Sequence, residues 1–167
     1  MYFSGFCLSG EEGLFAEYFD SSSDTVCGFS YGAQKAFLYA QKIPDIKRLI
    51  LLSPAFYMQK TDEFREAQIG VFTDNPELYR LKLLKKSGLT VDEMTTYQAD
   101  GTADALRELL YFRWDNEGLK KLTLRGVQIE VYIGSKDGVV EPKPSYEFFK
   151  HCGIKSVWLE NKNHILR

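Results

Sequence analysis

The sequence predicts an α/β protein: one domain around a mainly parallel sheet of about five strands, with a helical insertion. Three observations predict it. Five short apolar runs recur along the chain, and helical patterns separate most of them. The runs also lack the strict polar–apolar alternation of a sheet with one wet face, as strands covered on both faces do.

The first run is Y-F at residues 2–3, ending in a turn S-G-F-C. Residues 11–19 then set Leu14, Phe15, Tyr18 and Phe19 on one helical face. The second strand, T-V-C-G-F at 25–29, leads into a helix over 31–41 with Ala33, Ala36, Phe37 and Ala40 on its inner face. R-L-I-L-L at 48–52 is the third strand, Q-I-E-V-Y-I at 128–133 the fourth, and residues 156–159 the fifth. A short helix over 144–150 joins the last two, with proline near its start, where a missing N–H costs nothing.

Between the third and fourth strands, residues 54–121 contain no convincing strand, only helical patterns at 62–72, 75–87, 90–97 and 104–114. An insertion of this size is either a lid or a small helical unit that completes the core, and its place in the chain favours a lid. If every crossover is right-handed, a sheet laid down in sequence order carries its helices on one face. The other face is then one that a homodimer partner can cover.

Composition narrows the function classes. The 167 residues are 44% hydrophobic and 26% charged, with a net charge of −2. That balance offers no basic excess for phosphates, so nucleic acid is not the expected ligand. The three cysteines, Cys7, Cys27 and Cys152, have neither metal-site spacing nor an even count, so no disulfide framework, metal site or cofactor is expected. No apolar run reaches the length of a membrane span, and residues 1–12 lack the basic leader and apolar stretch of a signal peptide. A cytoplasmic protein is the expectation.

The motif with the most chemical content is G-F-S-Y-G at residues 28–32. G-x-S-x-G alone is a weak signal, and a glycine-rich turn is the plain reading. Here it follows a strand and opens a helix, the setting in which a serine is bent into a sharp turn and exposed as a nucleophile. Glycines two residues either side remove the side chains that would crowd Ser30. The helix beginning at Tyr31 points its amino end at the reacting carbonyl, and the Tyr31 N–H is a candidate oxyanion donor. Gly5 in the early S-G-F-C turn allows close approach, making the Phe6 N–H the second candidate.

A serine needs a base, and the chain has two histidines. His151 ends a helix, where histidines are usually solvated; His164 lies in N-K-N-H just past the fifth strand, and it is the favoured base. Asp137, in G-S-K-D-G after the fourth strand, is the expected orienting acid, although aspartate before glycine is also an ordinary turn pair. The order Ser30, Asp137, His164 is that of α/β-hydrolases.

With these motifs in view, the chain resembles a very small α/β-hydrolase, specifically the short pimeloyl-ACP methyl ester esterases of biotin synthesis, the BioV type. G-F-S-Y-G, G-S-K-D-G, K-N-H and S-G-F-C carry the likeness, with E-F-R-E-A-Q, T-D-N-P-E-L-Y and G-V-Q-I-E-V-Y-I-G. The resemblance implies a serine carboxylesterase that removes methanol from the far end of a pimeloyl chain carried on acyl carrier protein. It implies Ser30 as nucleophile, His164 as base, Asp137 as orienter, and Phe6 and Tyr31 as oxyanion donors. Ser4-Gly5 stands where a His-Gly pair is usual, and the early strands and full C-terminal helix of the superfamily are missing.

An acidic carrier would need a local basic patch. Y-R-L-K-L-L-K-K-S at 79–87 supplies Arg80, Lys82, Lys85 and Lys86, with the three lysines expected to face away from Leu81, Leu83 and Leu84. Arg65 and Arg113 are further docking candidates within the insertion. A solvated helix face reads the same way. Competing functions are a general carboxylesterase, an acyl-ACP thioesterase, or a non-catalytic binding protein on the same fold.

Overall fold

The computed structural model describes residues 1–20 and 22–167. Five strands form one sheet in the order β1 (Tyr2–Phe3), β2 (Thr25–Phe29), β3 (Arg48–Leu52), β4 (Gln128–Gly134) and β5 (Lys155–Leu159). Every neighbouring pair is parallel. The register runs Val26 to Leu49 to Ile129, and Cys27 to Ile50 to Glu130. Because side chains alternate along a strand, each such row presents one face of the sheet.

On the first face Val26, Leu49, Leu51, Ile129 and Val131 pack against α1 (Tyr31–Lys42), α6 (Asn116–Leu124) and α7 (Pro142–His151). Phe37, Leu119 and Phe149 are the inner residues of those helices and are essentially unexposed. Burying each contributes on the order of 2 kcal/mol. Trp114 joins them, its indole N–H donating to the Ala55 carbonyl at 3.0 Å.

The second face is covered by the chain itself. Cys27, Phe29, Ile50 and Leu52 are met by Phe15, Leu84, Leu89, Ile165 and Leu166. The bare sheet face that invited a homodimer partner is therefore absent among the described residues. Glu11–Phe15 is a 3-10 turn rather than the longer helix expected over 11–19, and the Phe15 ring lies tilted against Phe29 with ring centres 4.7 Å apart.

The insertion between β3 and β4 holds α2 (Asp62–Asp74), α3 (Pro76–Ser87), α4 (Val91–Tyr97), α5 (Ala103–Tyr111) and α6. Asn75 caps α3, accepting from the Leu78 N–H at 2.9 Å, and Pro76 occupies the first turn. Helix α6 was not anticipated, and it belongs to the core, since it packs on α1. The helical cover over the site is α2–α5, shorter than the expected 54–121. Phe6, Tyr31, Ile69, Phe72, Leu106, Leu109 and Leu110 join α2 and α5 to the sheet edge in one apolar cluster.

Candidate active site

The carboxyl ends of β1, β2, β4 and β5 bring Phe6, Ser30, Asp137 and His164 to one edge of the sheet, the edge where α/β proteins gather ligand loops. Ser30 sits between β2 and α1 with φ 54° and ψ −112°, a backbone that serine rarely adopts. Its N–H donates to the Leu52 carbonyl at 2.9 Å, and its carbonyl accepts from Ala33 and Ala55, each at 3.1 Å. A Cβ at Gly28 would strike the Gly32 carbonyl, and one at Gly32 the Phe3 carbonyl. Glycine at both positions is thus a packing requirement. A conformation of this kind costs about 1–3 kcal/mol and persists because its surroundings over-determine it.

Asp137 and His164 come from two loops stitched together. Ser135 N–H donates to the Leu159 carbonyl at 2.9 Å, Lys136 N–H to the Lys162 carbonyl at 2.8 Å, and Asn161 N–H to the Ser135 hydroxyl at 2.8 Å. Past His164 the chain folds back: Ile165 N–H reaches the Ser87 carbonyl at 3.3 Å, and Leu166, at φ 61°, bonds Asn163 at 3.0 Å. The His164 ring lies against Phe29, centres 5.0 Å apart.

These constraints align three side chains. His164 Nε2 is 3.0 Å from Ser30 Oγ, and His164 Nδ1 is 2.6 Å from Asp137 Oδ2. The Asp137 and His164 side chains are only 2% and 3% exposed, which keeps water from competing for either bond. The other carboxylate oxygen, Oδ1, accepts from the Val139 and Val140 amides at 2.8 and 2.9 Å. Asp137 is thus an acceptor on both sides, so the imidazole proton belongs on Nδ1. Nε2 is left to take the proton of Ser30. This is the geometry of an activated serine.

Neither the Phe6 nor the Tyr31 amide has a hydrogen-bond partner among the described residues. Tyr31 is the first residue of α1, so its N–H also carries the positive end of that helix. Among the described residues no three His, Cys, Asp or Glu side chains are grouped to hold a metal ion. Burial pushes the Cys7 thiol up to about 11, which keeps it protonated and inert beside Phe6. Among the same residues, no helix is long and apolar enough to cross a membrane.

Phe6, Ser30 and His164 line a cavity of only about 30 Å³, together with Tyr57, Tyr79 and Leu83 from the insertion. A second cavity of about 300 Å³ opens between α2 and α3 and shares Tyr57, Tyr79, Leu83, Leu110 and Val139 with the first. Phe64, Val71 and Leu78 extend its apolar wall, and Lys82 and Lys86 stand on its rim. Burial raises the Tyr79 hydroxyl to about 12 and drives Tyr57 higher, so both walls stay neutral.

The docking candidates divide. Lys82, Lys85 and Lys86 are exposed and pair with no acid among the described residues. Leu84 is buried and Leu83 half-buried as expected, yet Leu81 is exposed, so the apolar face of α3 is narrower than its sequence suggests. Arg65 is corrected: it is buried, and its guanidinium donates to the Leu110 and Tyr57 carbonyls at 3.0 and 2.8 Å and pairs with Asp62. It bolts α2 to α5 and offers nothing to a partner. Arg80 is mostly covered and paired with Asp100 at 2.8 Å, whereas Arg113 is exposed. His151 is exposed at the end of α7.

Three contributors escaped the sequence reading. Gln34 donates to the Ala55 and Leu109 carbonyls, each at 3.1 Å, tying the cover to α1. The Tyr31 hydroxyl does the same to Glu108 at 2.7 Å. Glu11 accepts from the Gly5 N–H at 2.9 Å. None has a local motif; each is identified only by what the fold places opposite it.

The sequence matches no family model and no curated protein. The fold does match solved structures. A hydrolase from Oleispira antarctica aligns at a TM-score of 0.63 with 12% identity, over 84% of this chain and 58% of its own. A thermophilic esterase from Thermogutta terrifontis, solved with malate bound, gives 0.63 with 15% identity over 84% and 57%. A carboxylesterase from Bacillus subtilis gives 0.55 with 14% identity over 84% and 53%. The chain therefore spans little more than half the length of the structures it matches. A five-stranded parallel sheet, a strained serine after β2 and the likeness to these structures make the fold that of a minimal α/β-hydrolase.

Proposed function

We propose that the protein is a serine carboxylesterase acting on the methyl ester of a pimeloyl chain held by acyl carrier protein, as in biotin synthesis. The observation that carries the esterase reading is the unbroken relay from Ser30 Oγ through His164 to Asp137. A non-catalytic binding protein has no need of a strained serine, a buried base and a fully bonded acid together. The named activities of the similar structures, carboxylesterase and esterase, support the same reading.

In this reaction Ser30 Oγ attacks the ester carbonyl while His164 Nε2 takes its proton. The Phe6 and Tyr31 amides hold the oxyanion. His164 returns the proton to the leaving methoxide, methanol departs, and an acyl-serine remains. A water, deprotonated by His164, attacks that ester; on collapse His164 returns the proton to Ser30 Oγ, and the carboxylic acid released ionises to the carboxylate. The carrier keeps its acyl chain throughout.

Two features support the finer substrate. The catalytic cavity suits a small alcohol, and methanol is the smallest. The wider apolar cavity beside it, rimmed by Lys82 and Lys86, suits a chain approaching from an acidic carrier.

The test is intact mass spectrometry of methyl-pimeloyl-ACP after incubation with the protein, with Ser30→Ala as control. Loss of one methylene's mass from a chain still on its carrier is expected. Bare holo-carrier would mean a thioesterase instead. No change with the carrier, alongside turnover of small esters, would leave a general carboxylesterase, and turnover by Ser30→Ala would refute the mechanism. Reversing Lys82, Lys85 and Lys86 to glutamate is expected to raise KM for the carrier-linked ester by about tenfold or more at low salt while sparing a small ester. Equal effects on both substrates would sink the docking surface.

A further inference from the structure

Glu11 is a carboxylate in the wrong place for a solvated helix end. It opens the 3-10 turn Glu11–Phe15 and is 0% exposed. No lysine or arginine pairs with it among the described residues. Its Oε1 accepts two hydrogen bonds, from the Gly5 N–H at 2.9 Å and the Tyr2 hydroxyl at 3.0 Å. Its Oε2 has no partner among the described residues. A buried acid with one bare oxygen is a cost to folding, which stability alone does not favour.

What it holds is the turn carrying the oxyanion amide. The Gly5 carbonyl accepts from the Leu8 N–H at 3.2 Å. That carbonyl shares a planar trans peptide with the Phe6 N–H, so fixing one fixes the other in the opposite direction. The Cys7 carbonyl is taken by Ala99 N–H at 2.8 Å, and Cys7 adopts φ 60°. Glu11 anchors the upstream end of this turn, the Leu8 bond sets its peptide plane, and the Ala99 bond its downstream end. Phe6, between them, lines the catalytic cavity with Ser30 and His164.

We propose that Glu11 is a positioning residue for the oxyanion hole: through the Gly5 N–H it holds the Phe6 amide aimed at the carbonyl that Ser30 attacks. Glu11 touches no reacting atom. Its effect belongs to the transition state, where the oxyanion forms, and not to substrate binding. The inference rests on the serine esterase reading.

The experiment measures kcat and KM separately on p-nitrophenyl butyrate, a small ester independent of any carrier, for wild type, Ser30→Ala, Glu11→Ala and Glu11→Gln. Removing a whole oxyanion donor costs about 10²–10³-fold in kcat, so misaiming one is expected to cost roughly 10–100-fold. Glu11→Ala should therefore lose at least about tenfold in kcat with KM within about twofold. Glu11→Gln keeps an acceptor for Gly5 and Tyr2 and should recover most of the rate. Glu11→Met, which fills the volume without an acceptor, replaces Glu11→Ala if that variant melts below assay temperature.

A folded Glu11→Ala or Glu11→Met with unchanged kcat overturns the proposal, as does a loss that falls on KM alone. A Glu11→Gln as slow as Glu11→Ala also overturns it, because the acceptor would not be what matters. The controls separate the two levels. A wild type without activity, or an active Ser30→Ala, brings down the esterase reading and this inference with it. An active wild type with a dead Ser30→Ala leaves any failure to Glu11 alone.

Discussion

At the scale of single residues, the bond between Asp137 and His164 sets the direction in which protons move in the proposed reaction. Asp137 can only accept, so Nδ1 carries the proton and Nε2 is free for Ser30. Asp137→Asn offers an amide N–H₂ to Nδ1 and reverses the tautomer, while its carbonyl can still accept from Val139 and Val140. The expected result is a fall in kcat of about 10⁴-fold with little change in melting temperature. Steady-state rates and a circular dichroism melt check it, and a near-wild-type rate would mean that Asp137 does not orient the base. The meeting of Ser30, Asp137 and His164 was legible in sequence because each sits in a short pattern tied to a strand end. Glu11 was not, since E-E before an apolar residue reads as a wet first turn. Arg65 was misread for the related reason that a charge in a sequence does not state what the fold will put around it.

At the scale of elements, α4 and the segment after His164 are joined by an ion pair. Arg167 reaches both oxygens of Glu93 at 2.8 and 2.7 Å, and Thr90 N–H donates to the same carboxylate at 2.9 Å. The Arg167 hydrogen bonds draw the Glu93 carboxyl from its ordinary 4.5 down to about 2. A carboxyl depressed on folding adds stability above its unfolded value and loses it as pH falls through the folded one. Glu93→Gln should thus melt a few degrees lower than wild type at neutral pH. The solvent-facing pair is worth about 1 kcal/mol or less. The gap should close between about pH 4.5 and about pH 2, as thermal melts across that range will test. A gap that persists at the acid end would assign the difference to packing. The helices of the insertion were mostly legible through their caps and spacing. Helix α6 was overlooked because N-E-G-L-K-K-L-T-L holds only two buried leucines, Leu119 and Leu122, a weak stripe that makes sense once α1 is beside it.

At the scale of the molecule, the parallel sheet was legible because its strands are continuous apolar runs bounded by turns. The covering of the second face was not. Ile165, Leu166 and Leu89 come from short stretches whose burial depends on long-range closure. That closure gives the structure an uneven character. The bend at Ser30 is built from bonds close to it in the sheet, whereas His164 arrives from 134 residues away through β5. Strand β5 lies at the sheet's edge and is half-exposed along most of its length. Edge elements open at lower free energy than central ones. In mild urea, hydrolysis should therefore fade before far-ultraviolet ellipticity does, and two coincident curves would show the edge to be as firm as the centre. Ser30 would still be bent, with His164 no longer beside it to take its proton. Under the proposed esterase function, the rate of hydrolysis thus serves as a gauge of how tightly one margin of the sheet is held.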